Sequence, residues 1–453
     1  MKTKLLTVIT LLFPIFFACS VPEKKANPDD KTVLKELSES LNHNLLESWY
    51  PRTIDSISGG FLSDFDYKWE MNGPQNKMIV TQARHVWTCS TVAEFYPEKK
   101  DHYLKIAQHG VQFLKDKLWD PKLGGFFTLV DREGKVLNPG GTARIMKEAY
   151  GNAFAIYGLS AYTRVSGDTA ALTLAKKAFL WLDKHSYDPQ FGGYFQFLET
   201  DGTPLKDGFD GTPPKDQNSS IHLLEAFTEL YRVWPDALVK ERLLMMLSLI
   251  RDRIVTPKGY LQLFLNRDLS PVSYRDSTKN VQQKKWFLDH VSFGHDVETA
   301  YLMLEASEIA GLKNDTLTLR IAKKMVDHSI ENGWDQTAGG FYDAGYYFKG
   351  RDKVTIIQNT KNWWAQAEGM NSLLLMAGLF PNDPHNYKSL FLKQWNYIDT
   401  YLIDHEHGDW YEEGIDKNHG AKKAMKAQIW KCNYHNSRSL MNCIKQLKKM
   451  IPE

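Results

Sequence analysis

A glycine-aromatic tag recurs six times along the chain, and this repeat constrains the fold more than any other feature. Clear copies are SGGF (58–61), WDPKLGGFF (119–127), YDPQFGGYF (187–195) and WDQTAGGFY (334–342), and weaker copies are PKGYLQLF (257–264) and HGDWYEE (407–413). Successive copies are separated by roughly 65 to 80 residues, which is room for two helices and their connections. Each repeat is therefore predicted to be one two-helix unit.

The segments between the tags carry helical periodicity. Apolar residues lie at helical spacing over 102–118, and residues 152–165 and 172–182 form two further apolar patterns separated by the breaker Ser166-Gly167. Six such units that close on themselves predict an all-α fold, an (α/α)6 barrel with short β-hairpins and loops at one rim. An open helical solenoid is the alternative, but six units without a polar terminal repeat favour closure.

The first residues resemble a bacterial lipoprotein signal. Lys2 and Lys4 precede an apolar run over 5–17 that is too short to anchor the chain across a bilayer, and the run ends at Ala18-Cys19. A plain secretory signal is the alternative. We therefore expect an exported membrane lipoprotein that faces the periplasm, with a signal peptide over 1–19 lipidated at Cys19, a polar tether over 20–30 and a single barrel domain over 31–453.

Composition narrows the class of partner. The formal net charge of +2 gives no field suited to nucleic acid or to an anionic membrane surface, so the predicted lipid is the sole membrane contact. Aromatic residues make up 13% of the chain, which suits either a sugar site or a core of large side chains. Cys89, Cys432 and Cys443 form no close pair and are predicted to be buried thiols.

Polar side chains interrupt apolar helical segments at matching places in several repeats. Such groups are costly to bury without partners, so each needs a reason. They are Arg84 with Trp87, Asn218 with His222, His295 with Glu298, Trp363 and Trp364 with Glu368, and Trp430 with His435.

Each of these residues has a structural alternative: a hydrogen-bonded core histidine, a buried ion-pair arginine or a core tryptophan. However, three histidines, one arginine and two glutamates fall at equivalent places in different repeats. A closed barrel brings equivalent places to one cavity, so the pattern predicts a polar catalytic centre there.

Six segments together resemble the cellobiose 2-epimerase branch of the N-acylglucosamine 2-epimerase superfamily. They are ARHVW (83–87), NSSIHLLEA (218–226), FGHDVE (293–298), WWAQAE (363–368), HEHGDWY (405–411) and WKCNYHNSR (430–438). They occur in the family's order and spacing, and the match covers nearly all of residues 31–450. The resemblance implies inversion at C2 of an aldose without a metal or other cofactor. The run His405-Glu406-His407 is interpreted as a solvated loop rather than a metal site.

The resemblance also implies roles for four polar residues. His295 and His435 would be the acid/base pair that removes and returns the C2 proton, since an imidazole can act in both directions near neutral pH. Arg84 and His222 would polarise the O1 and O2 oxygens and stabilise the enediolate. A guanidinium suits this role because it stays charged in any surroundings.

The remaining predicted residues would bind and orient the sugar. By the resemblance, Asn218 and Glu298 orient the sugar and the imidazoles, and Glu298 is expected to hold His295 from the next turn of the helix. Trp363, Trp364 and Trp430 would form a stacking platform with Tyr150 as a wall residue, and Glu368 and Trp87 complete the predicted contacts.

The implied partner is a small carbohydrate, and the WKCNYHN segment favours a β-1,4-linked disaccharide with glucose or mannose at its reducing end. Alternatives are a monosaccharide or N-acylglucosamine 2-epimerase, an aldose–ketose isomerase of the same fold, and an (α/α)6 glycosidase using Glu298, Glu368 or Asp296. The non-enzymatic alternative is a lipid-anchored sugar-binding protein, which would need the tryptophans but not the histidines.

Overall fold

The computed structural model describes residues 29–138 and 145–451. Twelve helices alternate along these residues between an outer and an inner position. The outer helices are α1 Asp30–Glu39, α3 Lys100–Phe113, α5 Thr169–Ser186, α7 Ala237–Leu249, α9 Thr316–Gly333 and α11 Tyr387–Tyr401. The inner helices are α2 Ile79–Phe95, α4 Ala149–Ser166, α6 Gln217–Val233, α8 Phe293–Ile309, α10 Trp363–Leu379 and α12 Tyr434–Met450.

The inner helices form a closed ring. Each packs against the next, and α12 packs against α2. The ring confirms the predicted (α/α)6 barrel and excludes the open solenoid. The inner helices bury nearly every residue, whereas outer helices such as α3 and α9 bury one stripe, as a two-layer barrel requires.

Short strands lie at one rim, immediately before the inner helices and after the tags. They are β1 Lys77–Met78, β2 Leu129–Val130, β3 Met146–Glu148, β4 Phe197–Glu199, β5 Lys215–Asp216, β6 Phe264–Leu265, β7 Val291–Ser292, β8 Ala344–Tyr346 and β9 Thr355–Gln358. β1 pairs with β2, β3 with β4, β5 with β6, and β7, β8 and β9 form one sheet, all antiparallel. Each strand that precedes an inner helix is thus tied to the hairpin that follows the next tag.

A buried lysine connects the second tag to the start of an inner helix. Lys147, directly before α4, donates to the Asp120 carboxylate at 2.8 Å, to the Gly124 carbonyl at 2.6 Å and to the Thr200 carbonyl at 2.7 Å. The tag turns tightly because Gly124 and Gly125 have positive φ, and a Cβ on Gly124 would lie 2.6 Å from the Trp181 ring. Glycine is therefore required in the tag both by the positive φ of the turn and by the close approach of the Trp181 ring.

The same buried pair recurs in five of the six units. The lysine-to-aspartate distances are 2.8 Å for Lys77–Asp55, 2.8 Å for Lys147–Asp120, 3.0 Å for Lys215–Asp188, 2.8 Å for Lys361–Asp335 and 2.6 Å for Lys426–Asp404. A buried charge is tolerated when it is paired and hydrogen-bonded. Four of these lysines donate to three acceptors each, and Lys426 donates to Asp404.

The fourth unit lacks this pair. Val291 stands at the lysine position before α8, and Thr256 stands at the aspartate position of the tag. The tag is instead attached through Asp296 of α8, whose Oδ1 accepts from the Leu261 amide at 2.9 Å. The long interval before the fifth tag contains the additional helix Lys279–Lys285 and part of the three-stranded sheet.

Several further predictions can be placed on the structure. The helical segments predicted over 102–118, 152–165 and 172–182 are confirmed, with a π-helical turn Leu114–Leu118 closing the first. Cys89, Cys432 and Cys443 are buried free thiols, as predicted.

The predicted signal peptide and most of the tether lie outside the described residues. Asp29 and Asp30, inside the predicted tether, instead cap and begin α1, where Asp29 accepts from the Thr32 amide. Within 29–138 and 145–451, no helix has the length and apolar character needed to span a membrane.

We expect Lys147→Met to lower the free energy of unfolding by about 3–5 kcal/mol, because it leaves the Asp120 carboxylate buried without its cation. Urea denaturation followed by circular dichroism measures the loss. Lys35→Met is the control, since Lys35 is 78% exposed beside Glu39 and should change stability by less than about 0.5 kcal/mol. Equal effects of the two substitutions would contradict the role given to the buried pair.

Candidate active site

A cavity of about 210 Å³ opens at the rim where the inner helices begin. It is lined by Arg84, Tyr150, Asn218, His222, His295, Glu298, Trp363, Trp364, Trp430 and His435. Ten of the twelve predicted site residues therefore meet in one place. Of the other two, Glu368 lies directly behind His435, and Trp87 stacks on Tyr157 at 5.4 Å in the core, so neither lines the cavity.

All six inner helices point their N-terminal ends at this rim. Unpaired amide groups and the helix dipole make an N-terminal end partially positive. Arg84 adds a full charge from the second turn of α2, where it is 5% exposed. The cavity is thus suited to an anion, or to negative charge that develops during a reaction.

Arg84 is held by aromatic contacts instead of a carboxylate. Its Nη2 donates to the Tyr150 hydroxyl at 3.1 Å, and its guanidinium lies over the rings of Phe154 at 4.3 Å and Tyr434 at 5.0 Å. Among the described residues no carboxylate forms an ion pair with it within 4.0 Å. Its charge therefore remains available to a ligand oxygen.

His435 is supported by a buried carboxylate. Its Nδ1 lies 2.8 Å from Glu368 Oε1, and Glu298 Oε1 is 3.7 Å away. Burial, reinforced by Arg84, holds the pKa of His435 well below its usual value. A neutral ring that donates from Nδ1 to the carboxylate presents the lone pair of Nε2 to the cavity.

His222 has the same kind of support from its own helix. Its Nδ1 lies 2.9 Å from Glu225 Oε2, one turn further along α6. The ring packs against Phe154 at 4.6 Å and Tyr150 at 5.3 Å, which leaves it little freedom to rotate.

His295 differs from the other two because its partner is a hydroxyl. Its Nδ1 lies 2.8 Å from Ser292 Oγ, the residue that precedes α8. Glu298, which we expected to hold His295, instead forms an ion pair with Arg438 at 2.6 Å. The expectation was wrong because Glu298, one turn deeper in α8, faces the barrel axis, while His295 bonds back to the start of its helix. Burial lowers the pKa of His295 to about 3.

The Trp364 indole lies beside both of the predicted acid/base residues. Its ring is 4.6 Å from the His295 ring and 5.8 Å from the His435 ring. Trp363 is buried at the wall, whereas Trp430 is 46% exposed at the mouth. A sugar ring packed on these indoles would lie close to both imidazoles.

A second cavity of about 220 Å³ adjoins the first. It shares Tyr150, Asn218 and Trp430 with the first cavity and is otherwise lined by Glu148, Gln196, Phe197, Asp216 and Ser219. Burial raises the pKa of Glu148 to about 7 and that of Asp216 to about 6. Together the two cavities form an elongated chamber with a polar outer end.

One turn beneath the histidines lies a layer of charged side chains that sequence analysis missed in part. Arg438 donates to Glu225, to Glu298 and to Glu368, the last two at 2.6 Å. Arg438 is three residues after His435, and Glu225 is three residues after His222. The rule that identified the histidines, a polar residue inside an apolar helix, would have identified both.

The same layer contains the one group within the described residues whose spacing could hold a metal ion. Ligand atoms of Glu298, Glu368 and His435 all lie within 4.8 Å of one another. However, the Arg438 guanidinium already supplies the positive charge between the two carboxylates. This donor set therefore does not suit a divalent cation. His405 and His407 lie in an exposed turn of the sixth tag.

Comparison with known proteins decides the family. The sequence profile of the N-acylglucosamine 2-epimerase (GlcNAc 2-epimerase) family matches residues 59–438. The chain belongs to this family.

Its relatives within the family include several cellobiose 2-epimerases. The enzyme of Ruminococcus albus is 29% identical over 91% of this chain and 98% of its own length, and that of Bacteroides fragilis is 27% identical over 90% and 98%. The solved structure of cellobiose 2-epimerase from Spirochaeta thermophila superposes with a TM-score of 0.78 at 27% identity, covering 94% of this chain and 99% of that one. The family fold therefore extends over nearly the whole described chain.

Burial disfavours the charged ring of His295 and lowers its pKa. We therefore expect the His295 imidazole to stay neutral between about pH 5 and about pH 8. Nitrogen NMR of histidine-labelled protein should show no titration of His295 in that range, with His295→Gln used to assign its signals. A midpoint near 6.5 would show that the ring is solvated and would contradict the buried environment.

Proposed function

We propose that this protein is a sugar 2-epimerase that interconverts gluco- and manno-configured residues at the reducing end of β-1,4-linked disaccharides. The observation that carries the proposal is that His295 and His435 meet in one cavity beside Trp364, with Arg84 unpaired there. The family relationship to cellobiose 2-epimerases supports the same reaction.

The chemistry requires each of these parts. The C2 proton of an open-chain aldose is acidified only by the neighbouring carbonyl, so its removal produces a negative enediolate. One imidazole in its neutral form takes that proton, and Arg84 and the positive helix ends stabilise the enediolate oxygens. The other imidazole, which must be protonated in the substrate complex, returns a proton to the opposite face of C2, and proton exchange with solvent then restores both rings. Loss and gain of one proton balance, and no oxidant or reductant is needed.

The chamber supports a two-ring substrate. The inner cavity of about 210 Å³ holds the proposed reacting ring, and the adjoining cavity of about 220 Å³ would accept the second ring past Trp430. A monosaccharide would leave the outer cavity unused.

The glycosidase alternative is less well supported, because the three carboxylates predicted for it are already bound to other groups. Glu298 Oε1 and Glu368 Oε1 both bind Arg438, and Asp296 binds the Leu261 amide. A glycosidase needs one free carboxylic acid and one free carboxylate facing the glycosidic bond.

Isotope exchange tests the reaction. The protein is incubated in deuterated water with cellobiose, mannobiose, glucose or N-acetylglucosamine, and the sugar is followed by NMR. We expect deuterium at C2 and the C2 epimer, fastest with a disaccharide. Absence of exchange with all four sugars refutes the epimerase, a ketose product indicates an aldose–ketose isomerase, and bond cleavage indicates a glycosidase.

His295→Ala and His435→Ala should each lower the turnover number by at least about 100-fold, because each removes one of the two groups that exchange a proton with C2. His328→Ala is the matched control, since His328 is also buried but bonds to Tyr347 on the outer layer. Rates are compared per folded molecule. Substantial epimerisation by either cavity variant would contradict the acid/base assignment.

The same proposal places the enzyme outside the cytoplasm, bound to a membrane by lipid on Cys19. Support comes from the lysines, the apolar run and the cysteine at the start of the sequence. Detergent-phase partitioning and mass spectrometry of the protein from a bacterial host should find an acylated N-terminal Cys19. The variant Cys19→Ser should leave the detergent phase, and an unmodified N-terminus in the unaltered protein would refute the anchor.

A further inference from the structure

Two of the cavity histidines are joined to each other through one buried guanidinium. Glu225 binds His222 through Oε2 and Arg438 through Oε1. Glu368 binds both His435 and Arg438 through Oε1. The continuous path from His222 to His435 thus passes through two carboxylates and Arg438.

We infer that Arg438 is a positioning residue that determines the tautomer of both His222 and His435, although it does not line the cavity. This inference rests on the proposed epimerase function for its kinetic consequence, but its structural consequence can be measured without turnover. Arg438 is 2% exposed, and its side chain bridges α6, α8, α10 and its own helix α12.

The argument follows from what a carboxyl group can donate. An ionised carboxylate only accepts hydrogen bonds, so the histidine beside it must donate from Nδ1, which leaves the Nε2 lone pair facing the cavity. A protonated carboxyl can donate to Nδ1 instead, which places the proton on Nε2 and removes the base. The ionisation of Glu225 and Glu368 therefore determines which histidine nitrogen faces the sugar.

Arg438 is the group that maintains this ionisation. Burial raises the pKa of Glu368, and the guanidinium opposes the rise. Burial acts the same way on Glu225, but Arg438 and His222 lower its pKa to about 2. Without Arg438, two buried carboxyls would have no full positive charge within hydrogen-bond reach.

The other charged and titratable groups that face this network are still present when Arg438 is substituted. They are the Arg84 guanidinium, the Glu298 and Glu305 carboxyls, and the phenols of Tyr157, Tyr301 and Tyr434. An altered pH profile in an Arg438 variant therefore reports the loss of the guanidinium.

Three variants test the inference. Arg438→Met removes the charge with little change of volume, Arg438→Lys keeps the charge but reaches fewer carboxylates, and Glu368→Gln imitates a protonated carboxyl beside His435. The matched control is Arg164→Met, which removes a guanidinium shared by Glu94 and Glu229 at the far end of α4. Circular dichroism and thermal unfolding establish the folded fraction of each.

The decisive measurement is nitrogen NMR of labelled histidine at about pH 7. We expect the His222 and His435 protons on Nδ1 in the unaltered protein and in Arg164→Met. They should shift toward Nε2 in Arg438→Met, and that of His435 should also shift in Glu368→Gln. Unchanged tautomers in folded Arg438→Met overturn the inference, whether or not the protein turns over any sugar.

Kinetics provide the second readout. In Arg438→Met we expect the turnover number for C2 exchange to fall about 10- to 100-fold with little change in KM, and Arg438→Lys to recover part of it. Because carboxylate pKa values rise without the guanidinium, activity should be lost at a higher pH on acidification than in the unaltered protein. If the unaltered protein exchanges C2 but Arg438→Met keeps its rate and pH profile, the inference fails while the epimerase stands. Absence of exchange in the unaltered protein refutes the epimerase alone.

Discussion

The buried lysine that recurs in five of the six units is the contact on which the rest of the barrel depends. In the second unit it joins an aspartate and a glycine carbonyl of one tag to a carbonyl of the next hairpin, at the point where α4 begins. An ammonium group buried without these partners would destabilise the fold. The three segments must therefore keep the arrangement that places their oxygens around it. Repetition of this contact brings the N-terminal ends of the inner helices to the same height at one rim.

That alignment places two layers of functional side chains at the rim of the barrel, one lining the cavity and one beneath it. Three inner helices supply the imidazoles and a fourth supplies Trp363 and Trp364. About one turn further along the same helices come Glu225, Glu298, Glu368 and Arg438. A helix repeats its face every three to four residues, so each cavity residue has a neighbour directly beneath it. The charged layer orients the imidazoles from below, while the sugar would approach them from above.

The repeat and the apolar periodicity were enough to predict the barrel, and the polar residues and tryptophans of the apolar segments were enough to predict nine of the ten residues that line one cavity. Tyr150 was predicted by the family resemblance alone. What could not be predicted was which partner each side chain meets across the barrel. Arg438 contacts Glu225 from a helix more than two hundred residues away along the chain. Such a contact depends on helix rotation and barrel radius, which no local pattern records. For the same reason Glu298 was assigned to His295, and Trp87 to the substrate instead of Tyr157.

The partners of the two proposed acid/base residues give the cavity an intrinsic asymmetry. Nδ1 of His435 lies beside the Glu368 carboxylate, whereas Nδ1 of His295 lies beside the Ser292 hydroxyl. In an epimerisation the two histidines exchange roles when the direction reverses. The equilibrium between the epimers depends on the sugars alone, so unequal basicity cannot shift it. It can only divide the barrier differently between proton removal and proton return.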